Sequence, residues 1–181
     1  TEALGAKVVQ VGERFDETAE AALTMAKEKK LTVVHPFDDY HVMAGQGTIA
    51  IEFLADVPDL DILLVPVGGG GLVAGTALSV HYFGENCVTI GGEPSVADDA
   101  FRSLQTGVIE TNITALTVAD GLRTNLGDVN FPIIKELVSE IICVEETEII
   151  AAMKLLWERL KIVIEPSSAV PFAALLKDSP T

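Results

Sequence analysis

The chain has 181 residues, 49% hydrophobic and 22% charged, and a formal net charge of -15 with only 12 Lys and Arg side chains. That length allows one large domain, or one domain with part of another, and no apolar stretch approaches the roughly 18 to 20 residues that span a bilayer, so a soluble globular protein is expected. The acidic balance argues against nucleic acid and anionic membranes, whose phosphates need Lys and Arg to neutralise them, and favours a small-molecule ligand.

In chain order, residues 7–12 are expected to form a short strand, and residues 16–30 carry Ala19, Ala22, Leu23 and Ala26 on one helical face. Residues 31–35 read as a second strand, which completes a βαβ-like unit. Pro36-Phe37-Asp38-Asp39 breaks the pattern and marks a domain boundary between residues 1–38 and 39–181. Gly45-Gln46-Gly47-Thr48 precedes a helix expected over 49–55, with Thr48 a candidate N-cap; the glycines either start that helix or admit a ligand. Residues 60–67 are nearly unbroken in apolar character, as in a strand at the middle of a parallel sheet.

That strand runs into Gly68-Gly69-Gly70-Gly71-Leu72 and then into a helix expected over 72–82. A strand, a glycine turn and a helix N-terminus gather free backbone N–H groups around one point, with the positive end of the helix dipole behind them. Four glycines allow positive φ and close approach of an anion, although the bland alternative is a mobile turn. The run lacks Gly-Lys-Ser/Thr and is not spaced as G-x-G-x-x-G, so a phosphate outside the two common nucleotide fingerprints is expected.

Residues 86–91 read as the next strand, and the alternation of strands and helices argues for an α/β fold with a mainly parallel sheet. Glu93-Pro94-Ser95-Val96-Ala97-Asp98-Asp99 opens a helix carrying Phe101 and Leu104. Its acids either complement the helix dipole or, as Glu93 and Asp99 with a backbone carbonyl between them, offer hard oxygen ligands to Mg²⁺ or Ca²⁺. Residues 107–117 read as an irregular excursion. Asp120-Gly121 is either a turn or a place where backbone approaches a planar ligand. A helix over 131–138 leads to a strand over 140–144. The next helix sets Ile149, Ala152, Met153, Leu156, Trp157 and Leu160 on a face expected to be core. Glu165, a capping acid or a site residue, and Pro166 break the chain before a last helix over 170–177.

Cys87 and Cys143 lie in apolar runs and read as buried thiols of a reducing compartment. His35, His41 and His81 lack metal-ligand spacing, and no Ser or Cys sits in a nucleophile-elbow context, which argues against a triad hydrolase. The chain starts with Thr1, which reads as a processed product or as a piece of something longer.

Taken together, Ala44-Gly45-Gln46-Gly47-Thr48, Val65-Pro66-Val67-Gly68-Gly69-Gly70-Gly71-Leu72, Glu93 to Asp99, Thr117-Val118-Ala119-Asp120-Gly121 and Glu165-Pro166 resemble the serine/threonine dehydratase and serine racemase family. These are pyridoxal-phosphate enzymes of fold type II, with a three-layer, mainly parallel sheet and helices on both faces. The resemblance implies that Gly68, Gly69, Gly70, Gly71 and the Leu72 amide bind the cofactor phosphate, with Gly121 by the pyridoxal ring and Glu165 also at the cofactor. Glu93, the Ala97 carbonyl and Asp99 would take Mg²⁺ or Ca²⁺ in a structural, activating role. Residues 1–38 would end a small mobile domain, and 39–181 would make up most of the large one.

The same resemblance implies an ammonia-lyase that turns L-serine, L-threonine or a similar β-hydroxy amino acid into a 2-oxo acid and ammonia. Racemisation of serine is the close alternative, and a non-catalytic phosphate-binding module is the alternative of another class. None of the eight lysines lies in the family's Ser-x-Lys setting, so the Schiff-base lysine and all catalytic residues are expected outside this chain. So are the substrate-gripping loop and the C-terminal Ser-Gly-Gly-Asn type segment. A cytoplasmic homodimer or homotetramer is the expected whole.

Overall fold

The computed structural model describes residues 1–12 and 15–178. The chain divides into two compact units, Thr1–His35 and Pro36–Thr181. In the smaller unit, α1 (Phe15–Lys29) forms where the periodicity predicts it. It ends at Lys30 in the left-handed region (φ 54), with the Leu31 amide donating to Ala26 O at 2.9 Å. The two strands expected at 7–12 and 31–35 do not form. A strand exists only as a member of a ladder. Neither segment pairs with another among the described residues, and Val8, Val9, Val11, Val33 and Val34 are exposed.

The larger unit is built on a parallel sheet of β1 (Ile62–Pro66), β2 (Val88–Pro94) and β3 (Val138–Val144), in the order β1-β2-β3. The helices are α2 (Tyr40–Asp56), α3 (Gly71–Phe83), α4 (Asp99–Thr106), α5 (Phe131–Leu137), α6 (Glu146–Leu160) and α7 (Pro166–Asp178). Successive side chains of a strand face opposite ways, and the two faces are covered separately. Val65 and Ile141 join Met43, Val73, Ala77, Phe131 and Ile134 on one face. Leu64, Ile142 and Val144 join Ile149, Ala169, Val170 and Ala173 on the other. The result is the expected three-layer α/β arrangement, and it brings the ends of β1 and β2 to one edge.

The boundary expected after Asp38 lies after His35. Asp38 packs with the larger unit, where its Oδ1 accepts from the Val129 and Asn130 amides, each at 3.0 Å. The helix expected over 49–55 starts at Tyr40, capped by Asp39, whose Oδ1 accepts from the His41 amide at 2.8 Å. Thr48 is therefore no N-cap; its hydroxyl donates to Gly45 O at 2.8 Å within the helix. Gly47 lets α2 and α3 meet backbone to backbone. A Cβ there would lie 2.7 Å from both Gly75 O and Ser79 Oγ, and the Ser79 hydroxyl donates to Gly47 O at 2.8 Å.

On α6, Ile149 and Ala152 are buried and Met153 and Leu156 pack against the same core, whereas Trp157 (42%) and Leu160 (59%) are exposed, so the expected core face holds except at its C-terminal end. Trp157 Nε1 instead donates to Ile164 O at 3.3 Å. Cys87 and Cys143 are free thiols, each half-buried. Among the described residues, no helix is long and apolar enough to cross a membrane.

Candidate functional site

The glycine run lies where β1 gives way to α3. Gly68 to Gly71 are all buried, and Gly70 is the N-cap of the 13-residue α3. Among the described residues, the amides of Gly69, Gly70, Gly71 and Leu72 donate to no protein acceptor; the first helical bond nearby is Ala74 N to Gly70 O at 3.0 Å. Several undonated N–H groups in buried backbone, at the positive end of a helix, make a cradle that suits a phosphate. Conformational freedom is needed only at Gly70 (φ 87).

The other three glycines are required by space. A Cβ at Gly68 would lie 3.0 Å from Gly121 O and from Leu122 Cα. One at Gly69 would meet the Phe37 ring at 2.5 Å, and one at Gly71 would meet Phe37 O at 2.6 Å.

Gly121 sits in the short 3-10 turn Asp120–Leu122, beside Gly68. Its amide donates to Ser167 Oγ at 3.2 Å, and Ser167 is 4% exposed in the first turn of α7. Glu165 is exposed, and its Oε1 is 3.9 Å from the position a Gly121 Cβ would take. Gly68 to Leu72, Gly121 and Glu165 thus come together from three separate stretches. Ser167, Phe37, Asp38 and Asn130 join them and were missed in the sequence. Asn130, fully buried, donates from Nδ2 to Gly69 O at 2.7 Å. The signal for Asp38 was its place in the chain break at Pro36; nothing in the local sequence marked Asn130 beyond its position ahead of Phe131 and Pro132.

The acidic group lies at the end of β2. Glu93 and Asp99 are both fully buried. Glu93 accepts from the Ala100 amide (Oε1, 3.1 Å) and the Phe101 amide (Oε2, 2.9 Å), so its carboxylate caps α4. Asp99 accepts from Asn112 Nδ2 at 2.6 Å (Oδ1) and from the Leu126 amide at 2.9 Å (Oδ2). Burial, with the Asp99 charge adding to it, holds the Glu93 carboxyl well above its usual range; burial raises Asp99 from 3.8 to about 6.

The nearby guanidinium, Arg102, is engaged by Asp98 at 2.8 Å and Glu110 at 3.6 Å. Among the described residues, no group of three or more His, Cys, Asp or Glu side chains is arranged to hold a metal. Two buried carboxylates with the Ala97 backbone between them are nevertheless a hard-oxygen donor set that a divalent cation would neutralise. Lys135, Lys154 and Lys177 are occupied elsewhere, by Gly107 O, Glu158 and Cys143 O.

The chain is similar to known proteins along nearly its whole length. The chain is 47% identical over 173 residues to the L-threonine ammonia-lyase of Geobacter sulfurreducens, covering 95% of this chain and 43% of that protein. It is 42% identical over 175 residues to the serine racemase of Dictyostelium discoideum, covering 96% of this chain and 54% of that one. The structure of maize serine racemase superposes with a TM-score of 0.93 at 34% identity, over 98% of this chain and 54% of that chain. The chain thus spans about half the length of the curated relatives it matches. The parallel sheet with helices on both faces agrees with these likenesses. With the model of the pyridoxal-phosphate-dependent enzymes matching residues 1–180, the chain belongs to that family.

Proposed function

We propose that this chain is the cofactor-phosphate-binding part of an ammonia-lyase that converts a β-hydroxy amino acid, such as L-serine or L-threonine, to a 2-oxo acid and ammonia. The observation that carries the reading is the buried Gly68–Gly71 cradle, whose free amides at the start of α3 suit a phosphate. Pyridoxal phosphate, when bound, supplies an electron sink for charge developing at the substrate α-carbon.

The residues of this chain hold and orient. Gly69 to Leu72 donate their amides to the phosphate, and Gly121, steadied by Ser167, keeps a side-chain-free surface for the ring. Glu165 stands beside Gly121 at the cofactor. Glu93, the Ala97 carbonyl and Asp99 take Mg²⁺ or Ca²⁺, which offsets their buried charge and braces the start of α4. Proton transfer at the α-carbon is assigned to a lysine outside this chain. A racemase acting on serine is the second reading, favoured by the 42% identity to a serine racemase, close to the 47% to an ammonia-lyase.

The test uses the protein from its whole reading frame, loaded with pyridoxal phosphate. Release of 2-oxo acid from L-serine, L-threonine or 3-hydroxyaspartate is expected. D-serine formed from L-serine without 2-oxo acid would move the assignment to the racemase. No visible cofactor absorbance and neither product would overturn both readings.

A further inference from the structure

We propose that Asn130 is a positioning residue that fixes the orientation of the Gly69–Gly70 peptide, so that its N–H and not its carbonyl faces the bound phosphate. This rests on the reading of the glycine cradle as the phosphate site.

A trans peptide points its C=O and N–H in opposite directions. Asn130 Nδ2 holds Gly69 O at 2.7 Å on the buried side of the loop, so the Gly70 N–H, on the same peptide, is turned the other way. Among the described residues, that N–H has no protein acceptor. Rotating the peptide by half a turn would present a carbonyl oxygen to the anion and exchange an attraction for a repulsion.

The backbone of Gly70 carries the trace of this choice. Its φ of 87 is the left-handed value, and a flipped peptide would carry φ into the ordinary negative range, where any residue is comfortable. Glycine at position 70 and asparagine at position 130 are therefore two halves of one device. The first permits the orientation; the second selects it.

Asn130 can do this because it is itself held. It is fully buried, its Oδ1 accepts from the Gly127 amide at 3.3 Å, and its own amide and that of Val129 both donate to Asp38 Oδ1 at 3.0 Å. With Oδ1 facing an N–H and Nδ2 facing a C=O, the side-chain amide has one satisfied orientation. Aspartate at this position has nearly the same shape but no donor, and its carboxylate would repel Gly69 O and draw the Gly70 N–H inward.

The experiment compares Asn130→Asp with the unaltered protein, both from the whole reading frame and freed of cofactor, by the affinity for pyridoxal 5′-phosphate and for pyridoxal, which lacks the phosphate. Asn130→Asp is expected to weaken pyridoxal phosphate about ten- to a hundredfold, as for loss of a hydrogen bond to a charged group, and to leave pyridoxal within about twofold. The preference for the phosphorylated form therefore falls. A merely structural role would weaken both ligands together and leave that preference unchanged, which would overturn the proposal. If Asn130→Asp does not fold, Asn130→Ala, which removes the donor without adding charge, is read in the same way. An unaltered protein that binds pyridoxal as tightly as pyridoxal phosphate would overturn the phosphate reading itself, and this inference with it.

Discussion

Alanine at Gly69 is expected to fail for want of space and not for want of backbone freedom, and a second substitution separates the two. The φ of Gly69 is outside the left-handed region, so alanine is conformationally admissible there. Its Cβ, however, would lie 2.5 Å from Phe37 Cδ1 and Cδ2, against about 3.5–4.0 Å for an unstrained carbon contact. Overpacking of this kind costs about 1–3 kcal/mol. Phe37→Ala removes the obstructing ring and, at a half-buried position, costs about 2 kcal/mol by itself.

In the double variant the new methyl group at position 69 enters the space that the ring leaves. The two costs are then expected to fall short of additivity by about 1–2 kcal/mol. Gly71→Ala is the control, because its Cβ would meet Phe37 O at 2.6 Å and Phe37 Cα at 2.9 Å, which are backbone atoms that Phe37→Ala leaves in place. The assay is urea unfolding of the cofactor-free protein, followed by circular dichroism. Additive costs at positions 69 and 37, or an equal rescue of Gly71→Ala, would refute the packing argument.

Within α2, Gly45→Ala meets nothing within 4 Å and is expected to stabilise by about 0.5–1 kcal/mol. Gly47→Ala would press on Gly75 O and is expected to destabilise by about 2 kcal/mol or more in the same unfolding assay; equal effects would mean that α2 and α3 do not meet at Gly47. Asp99→Asn removes one of the two buried charges, so Mg²⁺ should no longer raise the melting temperature and EDTA should no longer lower it, whereas an undiminished Mg²⁺ response would remove Asp99 from the cation site. Burial, aided by the Glu93 and Asp98 charges, pushes the Cys143 thiol up to about 12. Its alkylation by iodoacetamide at pH 8, followed by mass spectrometry, is therefore expected to be at least about a hundredfold slower than that of an unfolded thiol. Because an unfolded thiol ionises near pH 8.5, the stability associated with native Cys143 is present below that pH and is lost as pH rises toward about 12. Cys143→Ala should flatten that part of the alkaline stability profile.

Much of the larger unit was legible because its signals are local. The apolar run before Gly68 and the periodic face containing Ile149 and Ala152 name their elements without reference to the rest of the chain. The start of α2 was not legible. Gly45 and Gly47 read as a helix start or an opening for a ligand, and the fact that explains Gly47, the approach of α3 at Gly75 and Ser79, lies some thirty residues away in sequence. Residues 7–12 and 31–35 have strand composition, yet composition does not supply a ladder partner. The glycine cradle was legible because four successive glycines are costly without a use. The use of each was not, since only Gly70 is chosen for its φ and the others yield room to Phe37, Gly121 and Leu122. Glu93 was legible as an acid near a helix start. Its capping of Ala100 and Phe101, seven and eight residues on, depends on the turn that brings the chain back.

The two candidate sites are not independent. The segment from Leu126 to Asn130 is tied at one end to Asp99, through the Leu126 amide at 2.9 Å, and at the other to the glycine cradle, through Asn130 Nδ2 on Gly69 O at 2.7 Å. Asp38 holds the same segment at Val129 and Asn130. A hydrogen bond to a charged carboxylate is roughly twice as strong as one to a neutral acceptor, so neutralising Asp99 loosens the Leu126 end of a segment that supports the Gly69–Gly70 peptide at its other end. A fall in cofactor content in Asp99→Asn therefore would not put Asp99 in contact with the cofactor. The distinction lies in the ligand. A loosened support is expected to weaken pyridoxal phosphate more than pyridoxal, as is expected of Asn130→Asp, whereas a lost direct contact with the ring would weaken both.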